Sequence, residues 1–382
     1  MNKTADICII GGGISGTAIG YFLMKNGAKN VVLLERDYLS AGATGRCGAG
    51  IRQQWGLELN CLISKFSCEF FENAVEELEY DGDIEFHQGG YLILIGNEPE
   101  LEQMKKNVAL QNSLGIKSSL LSCDEAKEVV PFLNTTNLLG ATFYGRDGHL
   151  NPFHTTQAFA DAFVRLGGEI ITGTAVTGIT KEGGRVTGVD TNKGHIAAGT
   201  VVNAAGGWSQ QIAAMAGVHL PLYSERHNIL VTEPVEPTLN AMVMGFSLNL
   251  YCQQVPHGAF LMGRTDDSQP RDFRQTSFSG FPELMARTVC ELMPPLRKLR
   301  MLRQWAGMYN MSPDKAPVYS KAREIEGFYS AAGFSGRGFM VAPATGLIMS
   351  EMILGLAPTL PWGRMDVTRF EKGELLTEPS VV

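Results

Sequence analysis

Asp6-Ile7-Cys8-Ile9-Ile10-Gly11-Gly12-Gly13-Ile14-Ser15-Gly16 decides the reading of this chain. Residues 6–10 form a short apolar run of the kind that makes a buried strand. After the glycines, Ala18, Phe22 and Leu23 mark one face of a helix, and Gly27 stands where a helix ends. Asn30–Leu34 is a second apolar strand closed by Glu35, so the segment reads as a βαβ opening. Gly11, Gly13 and Gly16 give G-x-G-x-x-G. The first allows a tight turn, the second lets backbone approach a pyrophosphate, and the third lets helix and sheet pack closely. The helix N-terminus then presents free N–H groups to phosphates. With 44 glycines in the chain the pattern alone is weak. Its placement between strand and helix, with Glu35 placed 19 residues after Gly16 to accept ribose hydroxyls, makes it specific for a dinucleotide. A carboxylate there disfavours a 2′-phosphate and hence NADP. The motif does not separate FAD from NAD. A Gly-rich loop at Ala41–Gly50 and a second dinucleotide-style segment at Val201–Gly207 replace the regular β–α units of a plain NAD domain.

The chain has 382 residues, with 44% apolar and 19% charged, which implies a large core and two or three domains. A net charge of −7 without a Lys/Arg block argues against nucleic acid as a partner. Arg297, Lys298, Arg300 and Arg303 read as a solvated face. The seven cysteines contain no CxxC, which argues against a common zinc or iron–sulfur site and for free thiols in a reducing cytoplasm. No metal site is expected. The N-terminus reads as lacking a signal peptide, and no apolar run approaches the ~20 residues of a membrane span. Any membrane association is expected through partners.

Farther along, helical spacing covers 57–80, 98–115 and Pro152–Leu166. Short strands are expected at 169–172, 174–180, 185–191, 195–198 and 200–204, with Gly183-Gly184 and Asn192-Lys193-Gly194 as turns. From about 218 to 305 the texture shifts to Pro, aromatics and strands, with one helix near 282–292. A strand at 327–332, a Gly-rich turn and a helix from about 343 to 354 follow. The fold class expected is α/β (α+β overall): a Rossmann-like domain of residues 1–82, 146–217 and 301–382, interleaved with a substrate domain of 83–145 and 218–300 on a mostly antiparallel sheet.

These segments, with Ala49-Gly50-Ile51-Arg52-Gln53-Gln54, Gly89-Gly90-Tyr91-Leu92, Asp147-Gly148, Asn203 to Trp208 and Ala331 to Phe339, resemble the D-amino-acid-oxidase-like flavoproteins over nearly the whole chain. Arg46 to Gln54, Trp305-Ala306-Gly307 and the tail Arg369 to Leu375 are most similar to β subunits of dye-linked L-proline dehydrogenases and heterotetrameric sarcosine oxidases. The resemblance implies FAD between the two domains. It implies a binding set of Gly11, Gly13, Ile14, Ser15, Gly16, Glu35, Arg36, Ala43, Thr44, Gly48, Ala49, Gly50, Ile51, Val176, Ala204, Ala205, Gly206, Trp208, Gly307, Gly333, Gly336, Arg337, Gly338, Phe339 and Met340. Ala43 and Thr44 would face the pyrophosphate and Val176 the adenine. Gly333 to Met340 would wrap the flavin, with the last helix near its pyrimidine side.

The implied chemistry is oxidation of a C–N bond in a small amino or imino acid, L-proline-like first, by hydride transfer to the flavin. Arg52 and Arg337 read either as cations for substrate carboxylate or flavin, or as structural ion pairs. His227 and Tyr251 fall where relatives place pocket residues, and Tyr309 is a further wall candidate. Met340 stands where sarcosine-oxidising relatives carry a carboxylate-binding Lys. No Cys lies in Gly307-Met308-Tyr309, so FAD is expected to be non-covalent. The segment Phe260-Leu261-Met262 lacks the Lys that activates oxygen in related oxidases. A dehydrogenase with a larger α subunit and an electron-transfer partner is therefore expected, with FMN at a subunit interface in some relatives. The alternatives are a sarcosine, glycine or opine oxidase, and an FAD-binding electron-transfer subunit without turnover.

Overall fold

The computed structural model describes residues 3–266 and 268–379. Its first sheet is built on the opening motif. Lys3–Ile10 lies between Val31–Leu34 and Gly194–Asn203, parallel to both. Glu169–Ile171 extends the sheet on one side, and Phe328–Ala332 and Val318–Lys321 on the other. Ile9, Val32, Leu33 and Val202 are all nearly fully buried, as central parallel strands must be when both faces are covered. Ile7 and Ile9 point into a core shared with the helices Ile14–Lys25, Glu58–Glu72, Pro152–Arg165 and Ala342–Leu354. Cys8 and Ile10 point the other way, toward the helix Ser209–Ala216 and the hairpin Val176–Glu182/Arg185–Thr191. The first and last long helices cross closely because Gly346 has no side chain. A Cβ there would sit 2.7 Å from the Ala18 carbonyl oxygen.

The second sheet has eight strands in the order Met301–Met311, Tyr223–Pro234, Ala259–Arg264, Leu250–Gln254, Met242–Gly245, Tyr91–Ile95, Gly140–Tyr144 and Ser119–Leu121. Its pairs are antiparallel except Met242–Gly245 with Tyr91–Ile95. One face packs on the helices Cys123–Val129 and Phe281–Leu292 through Leu94, Leu230, Phe260, Met262 and Met285. The other face looks toward the first sheet. A short ladder of Gly50–Ile51 with Gly148–His149 joins the two regions.

Two sequence expectations are corrected. Residues 301–311, assigned to the first domain, pair from end to end with Tyr223–Pro234 and form the edge of the second sheet. The separate strands expected at 195–198 and 200–204 are one continuous strand, Gly194–Asn203, because Gly199 interrupts neither ladder. The helices Cys123–Val129 and Ser209–Ala216 were not read from the sequence. They are 7 and 8 residues long, too short for a clear apolar period.

Candidate active site

Two adjoining cavities lie between the sheets, of about 310 and 240 Å³. Cys47, His227, Tyr251, Tyr309, Gly336 and Phe339 line both.

The first cavity is a backbone cradle. Gly11 has φ +117°, and a Cβ on it would overlap the carbonyl of Ala204. A Cβ on Gly16 would overlap the Gly11 carbonyl oxygen, so this glycine sets the turn from strand to helix. The Ile14 N–H donates to Thr44 Oγ1 (3.1 Å), which ties the loop after the second strand to the helix N-terminus. The helix has no capping side chain, and first-turn N–H groups lack intrahelical acceptors. Glu35 accepts from Gly12 N–H (2.7 Å) and Asp37 N–H (2.8 Å), which fixes its carboxylate at the strand end. The Arg36 guanidinium lies 3.8 Å from the Trp208 ring centre at the same end. Arg46 donates to the carbonyls of Ala41 and Gly42 and closes the loop on itself.

The second cavity is made of side chains. Arg52 lies over one side of Trp55 (3.8 Å to the ring centre), and Arg337 lies 4.4 Å from the same centre. Phe246 sits 5.1 Å from the Arg52 guanidinium. Both arginines are about 95% buried, and Nη1 of each is buried with no hydrogen-bond partner. Burial lowers both; it brings Arg337 down to about 10, with Glu378 opposing the shift and Arg52 adding to it. The Arg52 segment is anchored by Asp147, which accepts from Gln53 N–H (2.9 Å) and Gln54 Nε2 (3.0 Å). Burial outweighs those bonds and pushes the Asp147 carboxyl up to about 7. At the junction of the cavities His227 stacks on Tyr309 (centroids 3.6 Å apart), with its Nε2 3.2 Å from Glu225 Oε1. Burial raises the phenols of Tyr251 and Tyr309.

Most of the sequence-derived set meets here. Gly11, Gly13, Ile14, Ser15, Glu35, Arg36, Ala43, Thr44, Val176, Ala204, Ala205, Gly206, Trp208, Gly307 and Gly338 line the first cavity. Gly48, Ala49, Gly50, Arg52, Arg337 and Met340 line the second. Gly16, Ile51 and Gly333 line neither. Gly16 packs on Gly11, Ile51 lies in the core, and Gly333 (φ +66°) turns the chain after its strand and donates to Asn310. Among the described residues, neither Arg52 nor Arg337 is within salt-bridge distance of a carboxylate, and Nη1 of each has no hydrogen-bond partner. The sequence reading missed Trp55 and Phe246, since a lone aromatic carries no local sign of the partner it will stack on. It also missed Cys47, whose thiol donates to the Thr44 carbonyl (3.0 Å) and is pushed up to about 12 by burial, leaving it an unreactive wall. Among the described residues, no three His, Cys, Asp or Glu cluster to hold a metal, and no helix is long and apolar enough to cross a membrane.

The glycine cradle, the uncapped helix end and the fixed Glu35 carboxylate fit a dinucleotide. The cavity beyond it is lined by residues of the second sheet together with Arg52, Trp55 and Arg337. The family model for FAD dependent oxidoreductases matches residues 6–352. The sarcosine oxidase subunit beta of Arthrobacter sp. is 32% identical over 98% of this chain and 93% of that protein. That of Rhodobacter capsulatus is 30% identical over 98% and 91%. A crystal structure of L-proline dehydrogenase from P. horikoshii has a TM-score of 0.93 and 36% identity, covering 98% of this chain and 100% of that one. The chain belongs to the family of FAD-dependent oxidoreductases.

Proposed function

We propose that this chain oxidises the C–N bond of a small amino or imino acid, with an L-proline-like substrate first, and passes the electrons to a partner subunit. The observation that carries the reading is the pair of buried arginines packed on the Trp55 ring, both lining the second cavity and each with a buried guanidinium nitrogen that has no hydrogen-bond partner. A buried cation without an acceptor is costly unless an anion completes it, and a guanidinium fork suits a carboxylate. The names of the relatives support the same substrate class. Arg337 supplies the cation that the Met340 position lacks, and Met340 packs beside Trp55 as an apolar wall.

FAD, when bound, would supply the two-electron acceptor. The protein's part is to hold the substrate and exclude water. Arg52 and Arg337 grip the carboxylate. The His227–Tyr309 stack and Tyr251 form the wall between the two cavities and limit the length of the substrate. Thr44, the helix N-terminus and Glu35 hold the dinucleotide non-covalently, in keeping with the inert Cys47 thiol. Leu261 packs toward Gly48, so the sheet offers an apolar side chain where an oxygen-activating cation would stand. This supports a dehydrogenase over an oxidase. The proposed acceptor is a larger partner subunit, with FMN at the shared interface as a further part of the proposal.

Anaerobic mixing of the yellow protein with a panel of amino and imino acids tests this. Bleaching by proline-like acids, with dye reduction at least ten times faster than peroxide release, is the expected result. Bleaching by none of them sinks the reading, and equal rates with oxygen replace the dehydrogenase by an oxidase.

A further inference from the structure

The tail from Arg369 to Glu378 carries a buried acid that binding and oxidation, as described above, leave without a role. Arg369 and Asp314 form a buried pair (Nε–Oδ2 2.7 Å, Nη2–Oδ1 2.9 Å). The Leu376 N–H donates to the same carboxylate (3.0 Å), which straps the tail to the loop after Met301–Met311. Glu378, 3% exposed, then accepts from Gly56 N–H (2.6 Å) and Asn60 Nδ2 (2.6 Å). Gly56 directly follows Trp55, the ring on which both arginines pack. The charged and titratable groups acting on Arg337 include Glu378, Arg52, Asp314 and Tyr319; those acting on Arg52 include Arg337, Tyr91, Glu378, Asp147 and Cys61. Asp314 is committed to Arg369, and Asp147 is held by Gln53 and Gln54. Glu378 is the acid that favours the charged form of both arginines, and the largest such influence on Arg337. It does so while Nη1 of each arginine stays without a protein acceptor.

We propose that Glu378 is a positioning residue: carried on the C-terminal strap, it anchors the Trp55 turn and supplies the counter-charge that keeps the Arg52–Trp55–Arg337 stack ready for a substrate carboxylate. This rests on the reading of the second cavity as the carboxylate site. An acid placed behind the stack offsets the cost of two buried like charges without filling the space in front of them.

The test uses the flavin-loaded protein, with pyrrole-2-carboxylate as the probe and its binding read from the flavin absorbance between pH 7 and 10.5. Wild-type affinity should hold up to about pH 10 and fall above it, as Arg337 loses its proton. In Glu378→Gln, binding at pH 7.5 should weaken five- to twenty-fold, and the pH at which it fails should drop by about one unit. Glu378→Asp, which keeps the charge, should stay within three-fold of wild type. Unchanged affinity and an unchanged pH profile in Glu378→Gln overturn the proposal. If that variant does not fold, Asn60→Leu, which removes one anchor of the carboxylate, carries the test. Binding at least three-fold weaker supports the proposal, and wild-type affinity overturns it. Wild-type protein that binds the probe but oxidises no amine overturns only the assigned reaction. Protein that binds no carboxylate overturns both.

Discussion

The cradle around Gly11 and the cavity around Trp55 adjoin, yet they are made of different material. The first is built mostly of backbone: a helix end whose Ile14 N–H is held by Thr44, glycines that clear space, and the Glu35 carboxylate fixed by two N–H groups. The second is built of side chains brought from distant parts of the chain: Arg52 and Trp55 from the loop before Glu58–Glu72, Phe246 from the turn after Met242–Gly245, and Arg337 from the turn before Ala342–Leu354. Backbone recognition is rigid and tolerates no added atom where the chain touches itself. Side-chain recognition is tunable, since each group can change without disturbing the fold. On the proposed reading, the first region sets the cofactor class and the second the substrate.

The harshest way to break that contrast is to put a side chain into the cradle. Gly16→Val places a Cβ on the Gly11 carbonyl, which only a shift of the first helix can relieve. We expect flavin content, read as the 450 to 280 nm absorbance ratio, to fall more than ten-fold. Gly27→Ala is the matched control. Its φ is +91°, but the space around it is open, so it should cost about 1 kcal/mol of stability and leave the flavin ratio alone. If both variants keep their flavin, the cradle is not what holds it.

The same contrast explains what could be read in advance. The cradle was legible because its ingredients are consecutive: an apolar strand, spaced glycines, a helix, and Glu35 at the next strand end. The change of texture was also legible, and the stretches 83–145 and 218–300 that it marked both supply strands of the second sheet. The boundary at 301 was not, since Met301–Met311 is exposed over its first residues and takes its place only from pairing with Tyr223–Pro234. Arg52 and Arg337 could be singled out as cations from their neighbourhoods. That they pack on one indole could not, because residues 52 and 337 meet only in the folded chain. That Gly333 lines neither cavity was hidden for a related reason: a glycine beside a cavity and a glycine in it look alike until the turn is built.

Changing the arginines is the next test, and it should act on substrate alone. Arg337→Met keeps the bulk against Trp55 and removes the charge. It should lower kcat/KM for an amino acid substrate by two to three orders of magnitude, about 3–4 kcal/mol. The flavin ratio should stay at the wild-type value. Arg52→Met should behave alike, and the double variant should lose less than the sum, because both grip one carboxylate. Loss of flavin in either single variant would erase the distinction between the two regions.

The smallest effect belongs to a residue that anchors the second region from behind. Asp147 is fully buried and holds Gln53 and Gln54, the residues just after Arg52. Burial is the dominant influence on it and raises its carboxyl to about 7, against the three hydrogen bonds and Arg52, which favour the anion. The folded protein therefore keeps a proton there that the unfolded chain releases near pH 4. The stability this contributes is complete below the unfolded value and fades as pH rises through 7. Melting temperature should accordingly drift down by a few degrees from pH 5 to pH 8, and Asp147→Asn should flatten that drift. Because the side chain touches the Arg52 segment and no cradle residue, the variant should raise KM modestly and leave flavin affinity unchanged. A slope equal to wild type would mean that the three donors dominate and that Asp147 is ionised throughout. The support of the Arg52 segment would then be a fixed hydrogen-bonded anchor instead of a proton-sensitive one.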